Sequence, residues 1–374
     1  MTVQEAIEYI NRHTWSQWKL GLGRTEELLR RLGDPQKRLR FIHVAGSNGK
    51  GSTCAMLERI LRAAGYRTGL YPSPYIEDFR ERIQVNGAYI TEEALCRITA
   101  QVAAQADAME DHPSQFELIT AIGMVYFAEE RCDFVVLEVG LGGTFDSTNV
   151  IDAPEVAVIT NLGLEHTEYL GNTLPEIAAA KGGIIKHGSD VVCYESDEEA
   201  LRVIRGICEE KKCRLHIARH AEITPLQKNL SGQRFFARGK IFRLSLLGEY
   251  QLRNASTVLT VIDVLRERGF AVPEKAVEEG LADVQWPARF EVLCREPLLI
   301  LDGGHNPQCA EALAESLNAY LPGQQVTFLT GILADKDVEK ILDTLAPCGA
   351  RYVCVTPDSP RAMPGEELAK RLRE

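Results

Sequence analysis

Short runs of consecutive apolar residues alternate along this chain with longer stretches in which apolar positions recur every three or four residues. Residues 41–45 are apolar or small at four of five positions, which predicts a buried strand, and the spacing over 57–64 predicts a helix behind it. Buried strands that alternate with helices are typical of a mainly parallel sheet covered on both faces. The same alternation predicts strands at 67–70, 134–139, 156–160, 191–194 and 214–217, and helices at 92–108, 116–131, 174–185 and 198–212.

Two departures from this alternation divide the chain. The segments 235–237 and 241–246, separated by Arg238-Gly239-Lys240, predict a β-hairpin appended to the sheet. After a proline-containing break at 285–289 a second series begins, with strands at 298–301, 326–330 and 352–355 and helices at 310–320, 338–345 and 366–373. We therefore predict an α/β protein with a P-loop-type, mainly parallel domain over 1–286, a linker over 287–296 and a smaller Rossmann-like domain over 297–374.

Length and charge narrow the function classes. A chain of 374 residues is long for one core and fits two domains. The formal net charge of −11 argues against a general nucleic-acid or membrane-surface binder, although it leaves room for a basic pocket that takes a small anion. The chain has no run of eighteen apolar residues, and its N-terminus lacks a signal-peptide pattern. We expect a cytoplasmic monomer whose ten scattered cysteines are reduced thiols.

A glycine-rich turn connects the first predicted strand to its helix. Residues 46–52, GSNGKGS, place one lysine among three glycines. In a strand–loop–helix unit the loop amides and the helix N-terminus point at a bound phosphate, and a lysine adds positive charge. The strict P-loop pattern is not met, because Val44 stands where that pattern has glycine and Gly51 separates Lys50 from Ser52. The turn alone fits either a phosphate site or an ordinary strand-to-helix connection.

Polar residues also follow three other predicted strands. Ser73 follows the strand at 67–70, Glu138 lies at the end of the next strand, and His166 comes shortly after the strand at 156–160. Ligands of open parallel sheets bind at the carboxyl ends of the strands, so these side chains are candidates for an oxygen-rich Mg²⁺ site beside the loop. Histidine is an unusual Mg²⁺ ligand, and each residue taken singly would also serve as a strand-end cap.

A series of motifs, in order along nearly the whole chain, resembles those of the folylpolyglutamate and dihydrofolate synthases, which are Mur-ligase-like amide ligases. Gly182 and Gly304 replace alanines of the family pattern, and Gln115 replaces an aromatic residue, a contact worth about 0.5–1.5 kcal/mol. The matches are LGLGR at 20–24, the loop at 46–52, SPYIEDFRERI at 73–83, EVGLGGTFDSTN at 138–149, GLEHTEYLG at 163–171, KGGIIK at 181–186, WPARFE at 286–291 and DGGHNP at 302–307.

The resemblance implies a role for each matching residue. Catalytic roles fall to Lys50, Lys181 and His305. Mg²⁺ would be held by Ser73, Glu138 and His166. ATP would be held by Ser47, Asn48, Gly49, Lys50, Gly51, Ser52, Asn254, Arg289 and Asp302. The folate or dihydropteroate substrate would contact Lys19, Leu20, Gly21, Leu22, Arg24, Arg82, Ser114, Phe116, Glu117, Phe145, Asp146 and Ser147.

Lys181 is of particular chemical interest, because the family carries a carbamylated lysine at this position. Positive charge from Mg²⁺ and Lys50 would depress the pKa of a lysine beside the phosphate site, which favours reaction of its amine with CO₂. The alternative is a helix lysine that faces solvent.

The reaction that the resemblance implies is ATP-dependent amide formation. A substrate carboxylate attacks the γ-phosphate, and the amine of L-glutamate then displaces phosphate from the acyl phosphate. Enzymes of this kind add glutamate to dihydropteroate or to a folate γ-carboxylate, and the resemblance favours the γ-carboxylate of (tetrahydro)folate, with dihydropteroate as a second acceptor of a bifunctional enzyme. Two alternatives are a Mur-type peptidoglycan ligase and a P-loop ATPase that forms no amide. Family members usually extend further than Glu374, so we also expect a short or truncated C-terminal domain.

Overall fold

The computed structural model describes residues 1–12 and 21–373, and the chain divides into two compact units. The first unit comprises Met1–Ile223 and Asn254–Val284, and the second comprises Thr224–Arg253 and Gln285–Glu374. The helices are α1 (Val3–Asn11), α2 (Gly23–Arg31), α3 (Lys50–Ala63), α4 (Glu92–Ala106), α5 (Gln115–Glu129), α6 (Thr167–Leu170), α7 (Leu174–Gly182), α8 (Glu198–Glu210), α9 (Glu249–Glu267), α10 (Glu274–Asp283), α11 (Pro307–Tyr320), α12 (Val338–Leu345) and α13 (Gly365–Arg371). The strands are β1 (Phe41–Ala45), β2 (Thr68–Tyr71), β3 (Gln84–Val85), β4 (Ala88–Tyr89), β5 (Phe134–Glu138), β6 (Val156–Ile159), β7 (Asp190–Tyr194), β8 (Arg214–Ala218), β9 (Thr224–Asn229), β10 (Gly232–Ala237), β11 (Lys240–Leu244), β12 (Glu291–Arg295), β13 (Leu298–Leu301), β14 (Val326–Thr330) and β15 (Gly349–Cys354).

The first unit is built on one eight-stranded sheet in the order β4-β3-β2-β5-β1-β6-β7-β8. The six strands from β2 to β8 in this order are parallel, and the short β3 and β4 add an antiparallel edge. Every residue of β1, β5, β6 and β7 is buried, which explains their continuous apolar runs. The predicted parallel α/β sheet is confirmed, and β1 lies in its interior.

Two apolar clusters cover the faces of this sheet. One contains Val135 and Leu137 of β5 together with residues of α4 and α5. The other contains Ala157 and Ile159 of β6 together with residues of α7 and α8. Both faces are therefore covered by helices. A ligand of such a sheet binds among the loops at the carboxyl ends of the strands. Within residues 1–12 and 21–373, no helix combines the length and apolar character needed to cross a membrane.

The predicted hairpin forms, but its predicted attachment to the large sheet is wrong. Strands β9 to β11 make a separate three-stranded antiparallel sheet within the second unit. Phe235 stacks on Phe242 across the hairpin, and Leu247 packs in one cluster with Phe290 and Leu317. A two-residue hydrophobic period identifies strands but not the sheet they join. The compact units therefore differ from the predicted division of 1–286, 287–296 and 297–374 in the assignment of residues 224–253.

The remainder of the second unit has α/β character. Strands β14 and β15 are parallel, and α11, α12 and α13 contribute the apolar residues of an adjacent cluster. The predicted strand at 298–301 is present as β13, and it pairs antiparallel with β12, which the sequence pattern did not indicate. The smaller α/β unit expected after the break at 285–289 is thus observed.

Candidate active site

The glycine-rich turn has the backbone shape of a phosphate-binding loop. It leaves the end of β1 and enters α3, with Gly46 and Gly49 in positive-φ conformations that favour glycine. A Cβ atom at Gly46 would overlap the side chain of Thr160, and one at Gly49 would lie 2.5 Å from Asn254 Oδ1. The fold therefore brings Asn254, which the sequence analysis assigns to ATP together with the loop, against the loop, and leaves no room for side chains on the glycines.

The segment after β6 holds the loop in place. The Ser47 amide donates to the Asn161 carbonyl at 2.8 Å, and the Ser47 hydroxyl donates to the Gly163 carbonyl at 2.8 Å. Thr160 Oγ1 donates to the Asn48 carbonyl at 2.9 Å. The buried Ser47 side chain is therefore a loop anchor in this structure, while Gly51 and Ser52 lie in the first turn of α3, where the backbone amides of a helix N-terminus are available to an anion.

Two lysines converge on one carbonyl oxygen of the loop. Lys50 Nζ donates to Gly46 O at 2.9 Å and to Ser47 O at 3.0 Å. Lys181 Nζ, from α7, donates to the same Gly46 oxygen at 2.9 Å and to Glu165 Oε1 at 3.0 Å. The Lys181 side chain is 2% exposed, so the alternative of a solvent-facing helix lysine is excluded.

Burial and mutual repulsion shape the charges of this group. Burial lowers the pKa of Lys181 to about 8, with Lys50 adding to the effect and Glu165 opposing it. Burial raises the pKa of Glu165, but the two lysines outweigh it and bring that pKa to about 2. Two ammonium groups thus face one carboxylate, and the excess positive charge beside a loop of amides suits a polyphosphate.

The three predicted metal ligands lie at the carboxyl ends of parallel strands. The Ser73 amide donates to the buried Glu138 carboxylate at 3.1 Å, so β2 and β5 bring these two residues together. His166 follows β6 and begins α6 in the left-handed conformation. Arg82 donates to Ser73 Oγ at 3.3 Å and lies over the ring of Tyr75, so this predicted substrate residue adjoins the predicted metal site.

The predicted ligands do not make a preformed cage. Among the residues that the structure describes, no three His, Cys, Asp or Glu side chains form a group able to hold a metal ion. A hydroxyl and a buried carboxylate nevertheless suit Mg²⁺, which prefers oxygen ligands and keeps waters and substrate phosphates in its shell. The donor set therefore fits a nucleotide-borne Mg²⁺ ion.

Two predicted substrate residues contact each other. Arg24 Nε donates to Glu117 Oε1 at 3.1 Å, and Thr25 donates to the same oxygen. The other Glu117 oxygen accepts the Ser114 amide at 2.7 Å and completes the N-terminal cap of α5. These side chains therefore have a structural role in joining α2 to α5. Gly21 and Leu22 precede α2, and the predicted Lys19 and Leu20 lie outside the described residues.

The remaining predicted substrate residues are on or beside the loop after β5. Phe116 packs so closely that a Cβ atom at Gly140 would lie 2.7 Å from its ring. Phe145 is 51% exposed, whereas Asp146 and Ser147 are buried. The structure thus brings together an exposed aromatic side chain, a buried carboxylate and Phe116, which is a suitable lining for an aromatic substrate with polar edges.

The predicted residues of the second unit gather around one carboxylate. Asp302 accepts the Phe290 amide at 2.9 Å and the Gly304 amide at 2.7 Å, and burial raises its pKa. Arg289 packs against Gly303, and His305 Nδ1 contacts the Gly303 carbonyl at 3.1 Å. The two motifs 286–291 and 302–307 are therefore adjacent within this unit.

Sequence reasoning missed Glu165 as the ion-pair partner of Lys181. Its signal was present, because an acidic residue directly precedes His166 after a strand end. His43 and Thr148, which bond to each other at 2.8 Å, were also missed. The sequence signal for this pair was His43 itself, a single polar residue in the otherwise apolar strand at 41–45.

Residues 44–262 match the model of the Mur ligase middle domain, and residues 288–374 match that of the Mur ligase glutamate ligase domain. A dihydrofolate synthase/folylpolyglutamate synthase of Bacillus subtilis is 36% identical over 98% of this chain and 87% of its own. A folylpolyglutamate synthase of Lacticaseibacillus casei is 37% identical over 90% of this chain and 81% of its own.

A solved structure of Escherichia coli FolC in complex with DHPP and ADP superposes with a TM-score of 0.87 and 31% identity, covering 100% of this chain and 88% of that one. Such similarity extends through both units and includes the lysine-bearing loop. The chain therefore belongs to the dihydrofolate synthase/folylpolyglutamate synthase family of ATP-dependent amide ligases.

Proposed function

We propose that this chain joins L-glutamate to the γ-carboxylate of a reduced folate and also to dihydropteroate, with ATP and Mg²⁺. The observation that carries the proposal is the convergence of Lys50 and Lys181 on the Gly46 carbonyl, at the carboxyl end of β1. Lys50 would supply positive charge to the phosphates of ATP, and Lys181, once carbamylated as proposed below, would serve at the same place as an anionic ligand for the Mg²⁺ ion of the nucleotide. The relatives named for both synthase activities support the two acceptors.

Each residue would act mainly by positioning and by stabilising charge. Lys50 and the amides at the start of α3 would hold the phosphates while the substrate carboxylate attacks the γ-phosphate. Asn254 would contact the nucleotide beside the loop. Within the glutamate ligase domain, Asp302 and Arg289 would bind the nucleotide, and His305 would have a catalytic role. Ser73 and Glu138, with His166, would hold Mg²⁺, which when bound supplies further neutralisation of phosphate charge.

A coupled assay of ADP release tests this function. We expect ADP release to require L-glutamate together with either dihydropteroate or tetrahydrofolate, and a UDP-muramyl acceptor to give none. ADP release that is indifferent to glutamate and to every acceptor would instead identify an ATPase. A response to only one pteridine acceptor would limit the enzyme to that activity.

We also propose that Lys181 is carbamylated in the active enzyme. Its lowered pKa leaves more of the amine uncharged at neutral pH, and the uncharged amine attacks CO₂, losing a proton as the carbamate forms. A carbamate would turn the cation beside Glu165 into an anion able to bind metal. Lys181→Ala should lose ligase activity and regain part of it with acetate or propionate; failure of every short carboxylate to restore turnover would argue against the carbamate.

A further inference from the structure

A line of hydrogen bonds runs from the strand below the ATP loop to the loop after β5. His43, at the centre of β1, places Nε2 2.8 Å from Thr148 Oγ1, and Thr148 Oγ1 lies 2.5 Å from Asp146 Oδ1. All three side chains are buried. Both Asp146 oxygens also accept amides, from Thr148 at 3.0 Å and from Leu141 at 2.9 Å.

Proton counting gives this line a direction. Burial raises the pKa of Asp146, but the Thr148 hydroxyl and the amides of Leu141 and Thr148 favour its ionised form. The Thr148 hydroxyl has one proton, and an ionised carboxylate only accepts, so Thr148 donates to Asp146. Thr148 must then accept a proton from His43, which fixes the neutral ring as the Nε2–H tautomer. His43 Nδ1 is left without a partner among the described residues. The bond from Nε2 is therefore the described contact that distinguishes His43 from an apolar residue at this strand position.

The consequence concerns the loop that carries Phe145. Lys186 holds the far side of this loop by donating to the Asn149 carbonyl at 2.7 Å, and Asn149 itself donates to the Thr144 carbonyl at 3.1 Å. The near side depends on Asp146, since this carboxylate joins the turn at Leu141 to the turn at Thr148. Loss of the His43 bond would leave the Thr148 hydroxyl able to rotate away from Asp146, while the amide bonds to Asp146 and the far anchor remain, so the segment with Phe145 would gain limited freedom.

We propose that His43 is a positioning residue which, through Thr148, fixes Asp146 and so the orientation of Phe145 towards the pteridine-containing substrate. The inference rests on the proposed function, because it assigns that substrate to this loop. It concerns affinity for the pteridine acceptor and not the ATP loop itself, although His43 lies in the strand that leads to that loop.

Matched substitutions at Thr148 test the proposal in the full chain. Thr148→Val keeps the shape but removes the hydroxyl, and should raise KM for dihydropteroate about 3- to 10-fold with KM for ATP changed less than about twofold. Thr148→Ser keeps the hydroxyl and should stay close to wild type. His43→Gln, whose amide donates from a position near Nε2, should retain more affinity than His43→Phe, and Thr148→Val should add little in the His43→Phe background.

The outcomes separate the possibilities. A lower thermal midpoint with equal changes in both KM values would show a merely structural role and overturn the proposal, as would a Thr148→Val enzyme with wild-type kinetics. If Thr148→Val does not fold, the His43→Gln and His43→Phe pair decides, and equal KM values for dihydropteroate would overturn it. A wild-type enzyme whose ADP release depends on neither dihydropteroate nor tetrahydrofolate would instead reject the proposed function, and this inference with it; if only tetrahydrofolate is accepted, its KM is the one compared.

Discussion

The two ends of the large sheet both bury charged side chains, but they balance them differently. At the amino end, Asp190 begins β7 and accepts from Arg214 at 2.7 Å and from Arg268 at 2.9 Å, while Arg268 also pairs with Glu155. With Arg40 beside Glu155 and Glu267 beside Arg214, three guanidinium groups meet three carboxylates in the described contacts. At the carboxyl end, Lys181 pairs with Glu165, and the positive charge of Lys50 acts on the same carboxylate.

The pKa shifts of Asp190 and Lys181 reflect this difference in charge balance. Burial raises the pKa of Asp190, but hydrogen bonds from Arg214 and Arg268 outweigh it, so its pKa lies below the usual value. The charged forms at the amino end are therefore favoured by folding. At the carboxyl end the pKa of Lys181 is lowered, so folding disfavours its charged form. The amino end therefore stabilises the fold, whereas at the carboxyl end the favourable ionisation of Glu165 is accompanied by the unfavourable charge of Lys181, a cost that we propose is retained for ligand binding.

The largest expected effect is on activity at the carboxyl end. Lys50→Ala should reduce kcat by about 10²–10³-fold, because it removes a preorganised charge from the phosphates. The thermal midpoint of the ligand-free protein should stay close to wild type. Lys37→Ala is the matched control, since Lys37 is exposed and pairs only with nearby Asp34 in the described contacts. Turnover retained in Lys50→Ala would mean that the loop is structural.

The unfavourable charge of Lys181 should make the free energy of unfolding depend on pH. Its pKa is about 8 when folded and about 10.4 when unfolded, so between these values the unfolded state binds more protons. The free energy of unfolding of the wild type should therefore rise relative to Lys181→Met from pH 8 to pH 10.4, by roughly 2–3 kcal/mol. Urea titrations in CO₂-free buffer without nucleotide measure this. A difference that is constant with pH would show that Lys181 is not destabilised by burial.

The amino end should behave in the opposite way. Asp190→Asn should lower the free energy of unfolding at pH 7 by about 2 kcal/mol, because two arginines lose a charged acceptor, and leave ligase kinetics unchanged. The Asp190 pKa is depressed by folding, so its contribution is present above about pH 3.9 and is lost as pH falls through the folded pKa. Urea midpoints of both proteins at pH 7 and pH 3 test this, and a difference that persists undiminished at pH 3 would contradict it.

The carboxyl-end site was predictable because its parts follow from simple rules. Continuous apolar strands indicated a parallel sheet, and parallel strands bring the residues after 45, 71 and 138 to one end. Glu165 was not assigned to Lys181, because the depth at which α7 buries its lysine depends on tertiary packing. The pairing of Arg24 with Glu117 was hidden for the same reason, since 93 positions separate them in sequence.

The amino-end cluster was not predictable from the sequence. Glu155, Asp190, Arg214 and Arg268 belong to four segments, and none of them is part of a motif. Salt bridges between strand starts depend on the order of strands, and the alternating pattern does not specify that order. The placement of the hairpin at 232–244 failed for a related reason, because the pattern gives strands and not their partners.

The smallest expected effect lies at the rim of the amino-end cluster. Arg214 also contacts Glu267 at 3.4 Å, and both side chains are more than half exposed. Water and salt screen such a pair, so Glu267→Gln should leave the urea midpoint within experimental error of wild type. If Asp190→Asn lowers the urea midpoint in the same buffer and Glu267→Gln does not, the stabilisation of this end of the sheet comes from the buried Asp190 carboxylate. A loss in Glu267→Gln as large as that in Asp190→Asn would mean that the whole network, and not burial of Asp190, stabilises this end of the sheet.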